Sequence, residues 1–247
     1  MIHFITYGDL NFEKSKHRIK LEVSKTGWFD TITAYGPEDL DNDFKERFKN
    51  ILDKSRGGGY WIWRPYLVYN KLKNINDNDF IVFVDAGSTI NAFGKERFFE
   101  YIQLLSNSNY GILSFQMSGK HNIGGLCKEN IWTIEEIFEY YNISKDDTIR
   151  ETGQYLGGIF ILKKNPHSIN YLENMIKCIE YNPLLITDYY NKKQSAYFKE
   201  NRHEQSLGSV LRKKMGSVVI DTDESYVLPF GGKKSLKYPF WATRIRN

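Results

Sequence analysis

The sequence predicts an α/β fold, with a mostly parallel central sheet flanked by helices, in one domain over residues 1–247. Three observations predict it. Short β-branched and aromatic runs alternate with longer stretches of helical period, as a parallel sheet requires when each crossover carries a helix. The run Phe80–Val84 is apolar without interruption, which suits a strand covered on both faces. No repeat, low-complexity linker or shift of composition divides the 247 residues, a length that buries a substantial core as one large domain.

Taken in order, "IHFITYG" reads as a first strand ending in a turn, and "FDTITAYG" repeats that pattern after a polar helical segment. "SRGGGYWIWRPYLVYNKLKNI" runs from a glycine-rich loop into a helix, with Pro65 in its first turn and Val68, Leu72 and Ile75 on one face. The strand Phe80–Val84 follows, then a helix at "GKERFFEYIQLL" and a strand at "YGILSFQ". "WTIEEIFEYY" opens with the spacing of a capping box, Thr133 and Glu136. "TGQYLGGIFILKKN" is a strand with paired glycines at its start, and the next helix is expected to bury Ile169, Leu172, Ile176 and Ile179. Residues 184–200 suit a short helix and a loop. "RHEQSLGSVLRKKMG" is an amphipathic helix through Leu207, Val210 and Leu211, with basic residues in its last turn and Gly216 as its stop. "SVVID" gives a late strand, and the tail "GGKKSLKYPFWATRIRN" is basic and aromatic without helical period.

The charge balance, 34 basic against 30 acidic residues, is too even for a nucleic-acid-binding surface. A small anionic ligand needs only a local basic pocket. Cys127 and Cys178 make neither a disulfide framework nor a metal-binding cluster, and a reducing compartment is expected. The amino-terminal apolar segment is too short for a signal peptide, and no run approaches a membrane span, so a cytoplasmic protein is expected.

Asp85 ends the buried strand, where it either caps the following turn or meets a ligand at the carboxyl end of a central strand. The run Gly57–Trp63 lacks the Gly-Lys-Ser/Thr ending of a phosphate loop and does not follow a strand. It reads as a hinge bearing large rings, with one tryptophan as an anchor and part of the rest lining a site. "RHEQS" gathers Arg202, His203, Glu204 and Gln205 at a helix start, where Glu204 favours the helix dipole whatever else it does.

The order of "GGGYWIWRP", "FVDAGS", "GQYLGGIFILKK", "RHEQS" and a terminal "YPFWATRIR" resembles sugar-nucleotide glycosyltransferases of the GT-A, Rossmann-like fold over nearly the whole chain. More narrowly it resembles bacterial and large-virus glycosyltransferases that pair a GYW-W-(K/R)P segment with a strand ending in DAG. The resemblance implies a hexosyltransferase-like enzyme that moves a sugar from a UDP- or GDP-linked donor to a hydroxyl of a glycan acceptor, with inversion favoured. In that fold a strand-end Asp-x-Asp holds Mn²⁺ or Mg²⁺ against the donor diphosphate. Here the motif reads Asp85-Ala86-Gly87-Ser88, so the second carboxylate is missing and metal use is in doubt. Asp85 with His203 is the remaining metal pair, and Asp85 and Ser88 are otherwise donor-binding residues.

Other roles follow from the same resemblance. Thr6, Tyr7 and Asp9 face the base and ribose. Arg64, Arg244 and Arg246 are candidates to balance the diphosphate, although the last two equally suit a solvated tail. Gln154 is placed at the donor or acceptor sugar, while Trp61, Trp63, His121 and Gln205 are placed at the acceptor. Glu204 is the base that takes the acceptor proton. Two other readings stay open: a sugar nucleotidyltransferase, which lacks its glycine-rich basic loop after the first strand, and a non-enzymatic sugar- or nucleotide-binding module. Peripheral membrane contact through the tail from Lys233 to Arg246 is a further expectation.

Overall fold

The computed structural model describes residues 1–119 and 127–246. The elements in chain order are β1 (Ile2–Tyr7), α1 (Glu13–Thr26), β2 (Thr31–Tyr35), α2 (Asn42–Arg47), α3 (Lys49–Leu52), α4 (Gly57–Tyr60), α5 (Trp63–Lys73), β3 (Phe80–Val84) and β4 (Thr89–Ile90). They continue with α6 (Lys95–Ser106), β5 (Ile112–Phe115), α7 (Glu129–Trp132), α8 (Glu135–Tyr140), β6 (Ile159–Lys163), α9 (Pro166–Tyr181), α10 (Glu204–Met215), β7 (Val218–Ile220) and β8 (Phe240–Trp241).

Six strands form the central sheet in the order β2-β1-β3-β6-β5-β7. β1 pairs in parallel with β2 and β3, and β5 with β7, while β6 runs antiparallel to both of its neighbours. The sheet is therefore mostly parallel. The direction of β6 is set by the connection before it: the chain leaves β5 at one edge and re-enters β6 from that same edge, with α7 and α8 lying between. Gly157 and Gly158 thus join the carboxyl ends of β1, β3, β5 and β7 at one edge.

The unbroken apolar run of β3 still alternates by face, because successive side chains point to opposite sides of a pleated strand. Ile81 and Phe83 join a core with Phe160, Leu162 and helices α5, α9 and α10. Val82 and Val84 join a second core with Ile159, Ile161 and helices α1 and α6. Burial on both faces is what makes the run continuous, and each such side chain contributes about 1.5–3 kcal/mol.

Local signals explain most boundaries. α9 starts at a capping box of Asn165 and Ser168 with Pro166 in the first turn, and α1 ends at Gly27 with φ 65°. The buried faces of α5 (Val68, Leu72) and α10 (Leu207, Val210, Leu211) are those the sequence predicts. Two expectations need correction. Thr133 and Glu136 form no capping box: α8 starts after Ile134, Thr133 donates to Glu129, and Glu136 accepts from the Asn191 and Lys192 amides. On α9 the buried face centres on Tyr171, Leu172, Met175, Cys178 and Ile179, leaving Ile169 and Ile176 half-buried, because α5 and α10 both pack on this helix.

The tail is not a solvated strand of chain. β8 pairs antiparallel with β4, and Tyr238, Pro239 and Phe240 are buried. Tyr238 and Phe240 are therefore spent on packing, whereas Lys233, Lys234 and Lys237 are exposed. No helix among the described residues is long and apolar enough to cross a membrane.

Candidate active site

Asp85 leaves β3 at the sheet edge, with its amide bonded to the Gly158 carbonyl at 2.8 Å. A Cβ on Gly158 would overlap the Asp85 carboxylate, so the glycine makes the seat in which that carboxylate lies. The loop beyond is fixed by Arg18 of α1, which donates to the Ala86 and Ser88 carbonyls at 3.0 and 2.8 Å. The same guanidinium pairs with Glu22 at 2.7 Å, and Glu22 accepts from the Ile90 amide.

Arg64, from the first turn of α5, is buried and bridges two carboxylates. One nitrogen donates to Asp85 Oδ1 at 2.8 Å and the other to Glu204 Oε2. The Glu204 side chain is only 7% exposed, whereas that of Asp85 is 41% exposed. Burial works against the Arg64 charge, but Glu204 and Asp85 outweigh it and hold the guanidinium above its ordinary pKa. Both carboxylates are raised, chiefly by desolvation, with Arg64 pulling each back down. Ionised, the triad carries one net negative charge, and its only open face is Asp85.

The glycine run leads into the start of α5 through consecutive left-handed residues: Gly57, Gly58 and Gly59 at φ 63°, 56° and 89°, then Tyr60 and Trp61 at 54° and 59°. At Gly59 a Cβ would come within 2.7 Å of the Leu52 Cα, so a side chain has no room. Tyr60 and Trp61 have no such licence, and strain of this kind concentrates at functional sites. Trp63 is the anchor. It is 3% exposed, stacks on Tyr7 with centroids 3.7 Å apart, and donates from Nε1 to the Gly57 carbonyl at 3.0 Å. Trp61 stays half-exposed.

Several expected site residues turn inward. His203 donates from Nε2 to the Asp188 carboxylate at 2.8 Å and stacks on Tyr60 at 4.7 Å. Burial lowers its pKa against the opposing pull of Asp188. The expected Asp85–His203 metal pair is not assembled: the imidazole is directed to Asp188. Among the described residues no three His, Cys, Asp or Glu side chains converge as a ligand set. Among the described residues, Asp85 and His203 make no ligand set for a divalent cation.

Gln154 is fully buried and spans Glu129, Thr133 and Ser206 at 3.1–3.2 Å. Gln205 accepts from the Gly157 amide and donates to Gln154. These two amides position the Gly157–Gly158 turn instead of meeting a sugar. Tyr7 is 8% exposed with one ring face covered by Trp63, so it does not offer a base-stacking platform. Thr6 is fully buried with Oγ1 unpartnered, and Ser88 is 4% exposed. Asp9 is half-buried and caps the turn at Asn11. His121 lies outside the described residues.

The missing second carboxylate has a steric explanation. A Cβ on Gly87 would lie 2.9 Å from the Ile245 carbonyl oxygen and 3.5 Å from the Arg244 Cα. The Gly87 carbonyl accepts from the Ile245 amide at 2.8 Å and from Thr243 Oγ1 at 2.9 Å. The tail thus occupies the space a side chain would need and brings Arg244 there. Arg246 extends over Phe12 at 6.0 Å. Sequence reasoning missed the seat at Gly158, the Asp188 partner of His203 and the Arg18 clasp; only the last left a trace, in the four-residue spacing of Arg18 and Glu22. A surface hollow of about 360 Å³ beside Arg97, Gln103 and Leu104 gathers no comparable chemistry.

A mostly parallel sheet with an antiparallel β6 and a strand-end aspartate at its open edge defines the architecture. Among the solved structures similar to this chain are two that cover most of it. One is a glycosyltransferase involved in the glycosylation of the major capsid of PBCV-1, with a TM-score of 0.54, 8% identity, and coverage of 97% of this chain and 91% of that one. The other is mouse xyloside xylosyltransferase 1 in its apo form, with a TM-score of 0.50, 10% identity, and coverage of 92% and 87%. At such identities the likeness establishes the fold. No family model and no curated protein sequence matches the chain.

Proposed function

We propose that the protein is a glycosyltransferase that moves a sugar from a UDP- or GDP-linked donor to a hydroxyl of a glycan acceptor. The observation that carries this reading is Asp85: a carboxylate at the end of the central strand, fixed by Arg64 and Gly158 yet open on one face. Support for the class comes from the fold, which is that of two glycosyltransferases.

In the reaction the acceptor oxygen forms a bond to the anomeric carbon. The bond from that carbon to the diphosphate oxygen breaks, its electron pair leaves with the nucleoside diphosphate, and the acceptor proton passes to a base. Of the two carboxylates, Asp85 faces the open edge, whereas Glu204 is enclosed with Arg64. Asp85 is therefore the group that meets substrate and can take the acceptor proton. Glu204 holds Arg64, and through it the orientation of Asp85. One substrate-facing carboxylate suits a single displacement, which inverts the anomeric configuration. Trp61, half-exposed beside the triad's helix start, is the ring available to an acceptor sugar.

A thermal-shift screen of UDP, GDP, CMP and their sugars tests the donor class, since a ligand of the native state raises apparent stability. UDP or GDP is expected to raise the melting temperature, and a UDP- or GDP-sugar is expected to be hydrolysed slowly, with Asp85→Asn abolishing turnover while the protein stays folded. No shift with any nucleotide would end the transferase reading. Nucleotide-sugar binding without hydrolysis or transfer would instead favour a binding module, a reading that the inward-turned Glu204 motivates.

A further inference from the structure

Glu204 opens α10, and the same helix presents three more polar side chains to the turn on which Asp85 rests. Gln205, Ser209 and Arg212 stand at i, i+4 and i+7, which is one face of a helix. We propose that this stripe, and Arg212 above all, is a positioning device for Asp85: it fixes the backbone of residues 155–157, and through it the Gly158 seat, so that the carboxylate stays aligned for proton transfer. The role rests on the transferase reading above and belongs to side chains that touch no substrate.

The three side chains take consecutive backbone groups of the chain entering β6. The Tyr155 amide donates to Ser209 Oγ at 2.7 Å, and the Gly157 amide donates to Gln205 Oε1 at 2.9 Å. Between them, Arg212 donates to the Leu156 carbonyl at 3.0 Å and reaches that of Tyr155 at 3.5 Å. A Cβ on Gly157 would lie 2.9 Å from that of Gln205, so turn and helix are in direct contact. The next carbonyl but one, that of Gly158, accepts from the Asp85 amide at 2.8 Å. α10 therefore holds Asp85 by two routes: through Glu204 and Arg64 on the carboxylate, and through the stripe on the backbone that seats it.

Arg212 is the member that packing alone does not explain. It is 3% exposed, and its other donors go to the Gly208 carbonyl and Ser114 Oγ at 3.1 and 3.2 Å, so its hydrogen-bond partners among the described residues are all neutral. The buried carboxylates that α10 meets are committed elsewhere: Glu204 to Arg64, and Glu129 to Lys213, Thr133 and Ser209. A charge buried without a counter-ion is far less favourable than an apolar side chain of like volume, and an apolar side chain would suffice to pack α10 on the sheet. What the guanidinium adds is a rigid, planar set of donors that reaches two successive carbonyls at once. A shift of the 155–157 backbone would leave the Arg212 donors and the Tyr155 and Gly157 amides unpaired inside the protein, so displacement of the seat is penalised at several groups together.

The test pairs kinetics with amide hydrogen exchange on the whole chain. Arg212→Met is expected to lower kcat for hydrolysis of a UDP- or GDP-sugar about tenfold or more while KM moves less than roughly twofold, because the donor still binds and only the base is misaligned. Exchange at the Asp85 amide, which reads its bond to Gly158, is expected to quicken about tenfold or more, with the Ile81 and Phe83 amides of the same strand keeping their protection. Arg212→Lys, able to hold one carbonyl, should be intermediate in both readouts. Ser209→Ala removes only a hydroxyl and should show the same pattern more weakly, so it carries the test should Arg212→Met not fold. Unaltered Asp85 exchange in the folded variants would overturn the device. Faster exchange with unchanged kcat would make the stripe structural only and leave the transferase reading standing. Absence of turnover by wild type on every nucleotide sugar would remove that reading and the positioning role with it.

Discussion

Replacing Arg64 with methionine should be among the most damaging single changes in this protein. The substitution preserves apolar volume but strips the counter-charge from two carboxylates at once. Glu204, 7% exposed, is left as a buried charge without its partner, a loss of about 3–5 kcal/mol for interactions of this kind. Asp85 adds less, because its side chain is 41% exposed and water takes over part of the solvation. With a urea dependence of roughly 3 kcal/mol per molar for a chain of this size, the unfolding midpoint should fall by about 1–1.5 M. The double variant Arg64→Met/Glu204→Gln no longer buries an orphan charge and should recover about 2 kcal/mol of that loss. The pH dependence has a definite sign. The native state holds the Glu204 proton above its ordinary range, so it binds more protons than the unfolded chain, and stability falls as pH rises from that range through the raised value. Without Arg64 the raised value moves higher and the decline extends further upward in pH. Loss of less than about 1 kcal/mol in Arg64→Met, with no recovery in the double variant, would refute the bridging role.

Three further outcomes are expected. Gly87→Asp should not create a metal site, because its Cβ would sit 2.9 Å from the Ile245 carbonyl oxygen; Mn²⁺ titration should show no gain in affinity and the melting temperature should drop, whereas tight Mn²⁺ binding at unchanged stability would contradict the packing of the tail. Trp63→Ala should cost about 3–5 kcal/mol as a buried ring is lost, while Trp61→Ala, half-buried against His203, should cost less and act on transfer kinetics, so equal losses in chemical denaturation would undo the division between anchor and site. His203 has a lowered pKa, so the native state binds fewer protons than the unfolded chain; stability is fully present above the ordinary histidine value and falls as pH drops through the lowered one. His203→Gln should flatten that part of the denaturation profile, and an unchanged profile would show that another group governs it.

What the sequence determined by itself was whatever depends on neighbours along the chain. The apolar run of β3, the proline in the first turn of α5, and the apolar period of α10 with its stop at Gly216 are local signals, and each produces its element in the structure. The place of Asp85 at a strand end was legible for the same reason, as was the absence of a carboxylate at position 87. The tertiary structure decided everything that depends on which distant groups meet. Arg64 and Glu204 are 140 residues apart and bond each other, and no local pattern encodes that encounter; it turned an expected phosphate ligand into an internal counter-ion. Gln154, polar and well placed in the chain, proved to be fully buried and to accept from the half-buried Gln205, because an amide taken from water must be satisfied inside. The tail read only as basic and aromatic without helical period, and the pairing of β8 with β4 was not legible, since a two-residue strand carries almost no period of its own. The reason for Gly87 likewise lies outside its local sequence: the backbone of residues 244–245 packs where a side chain would stand.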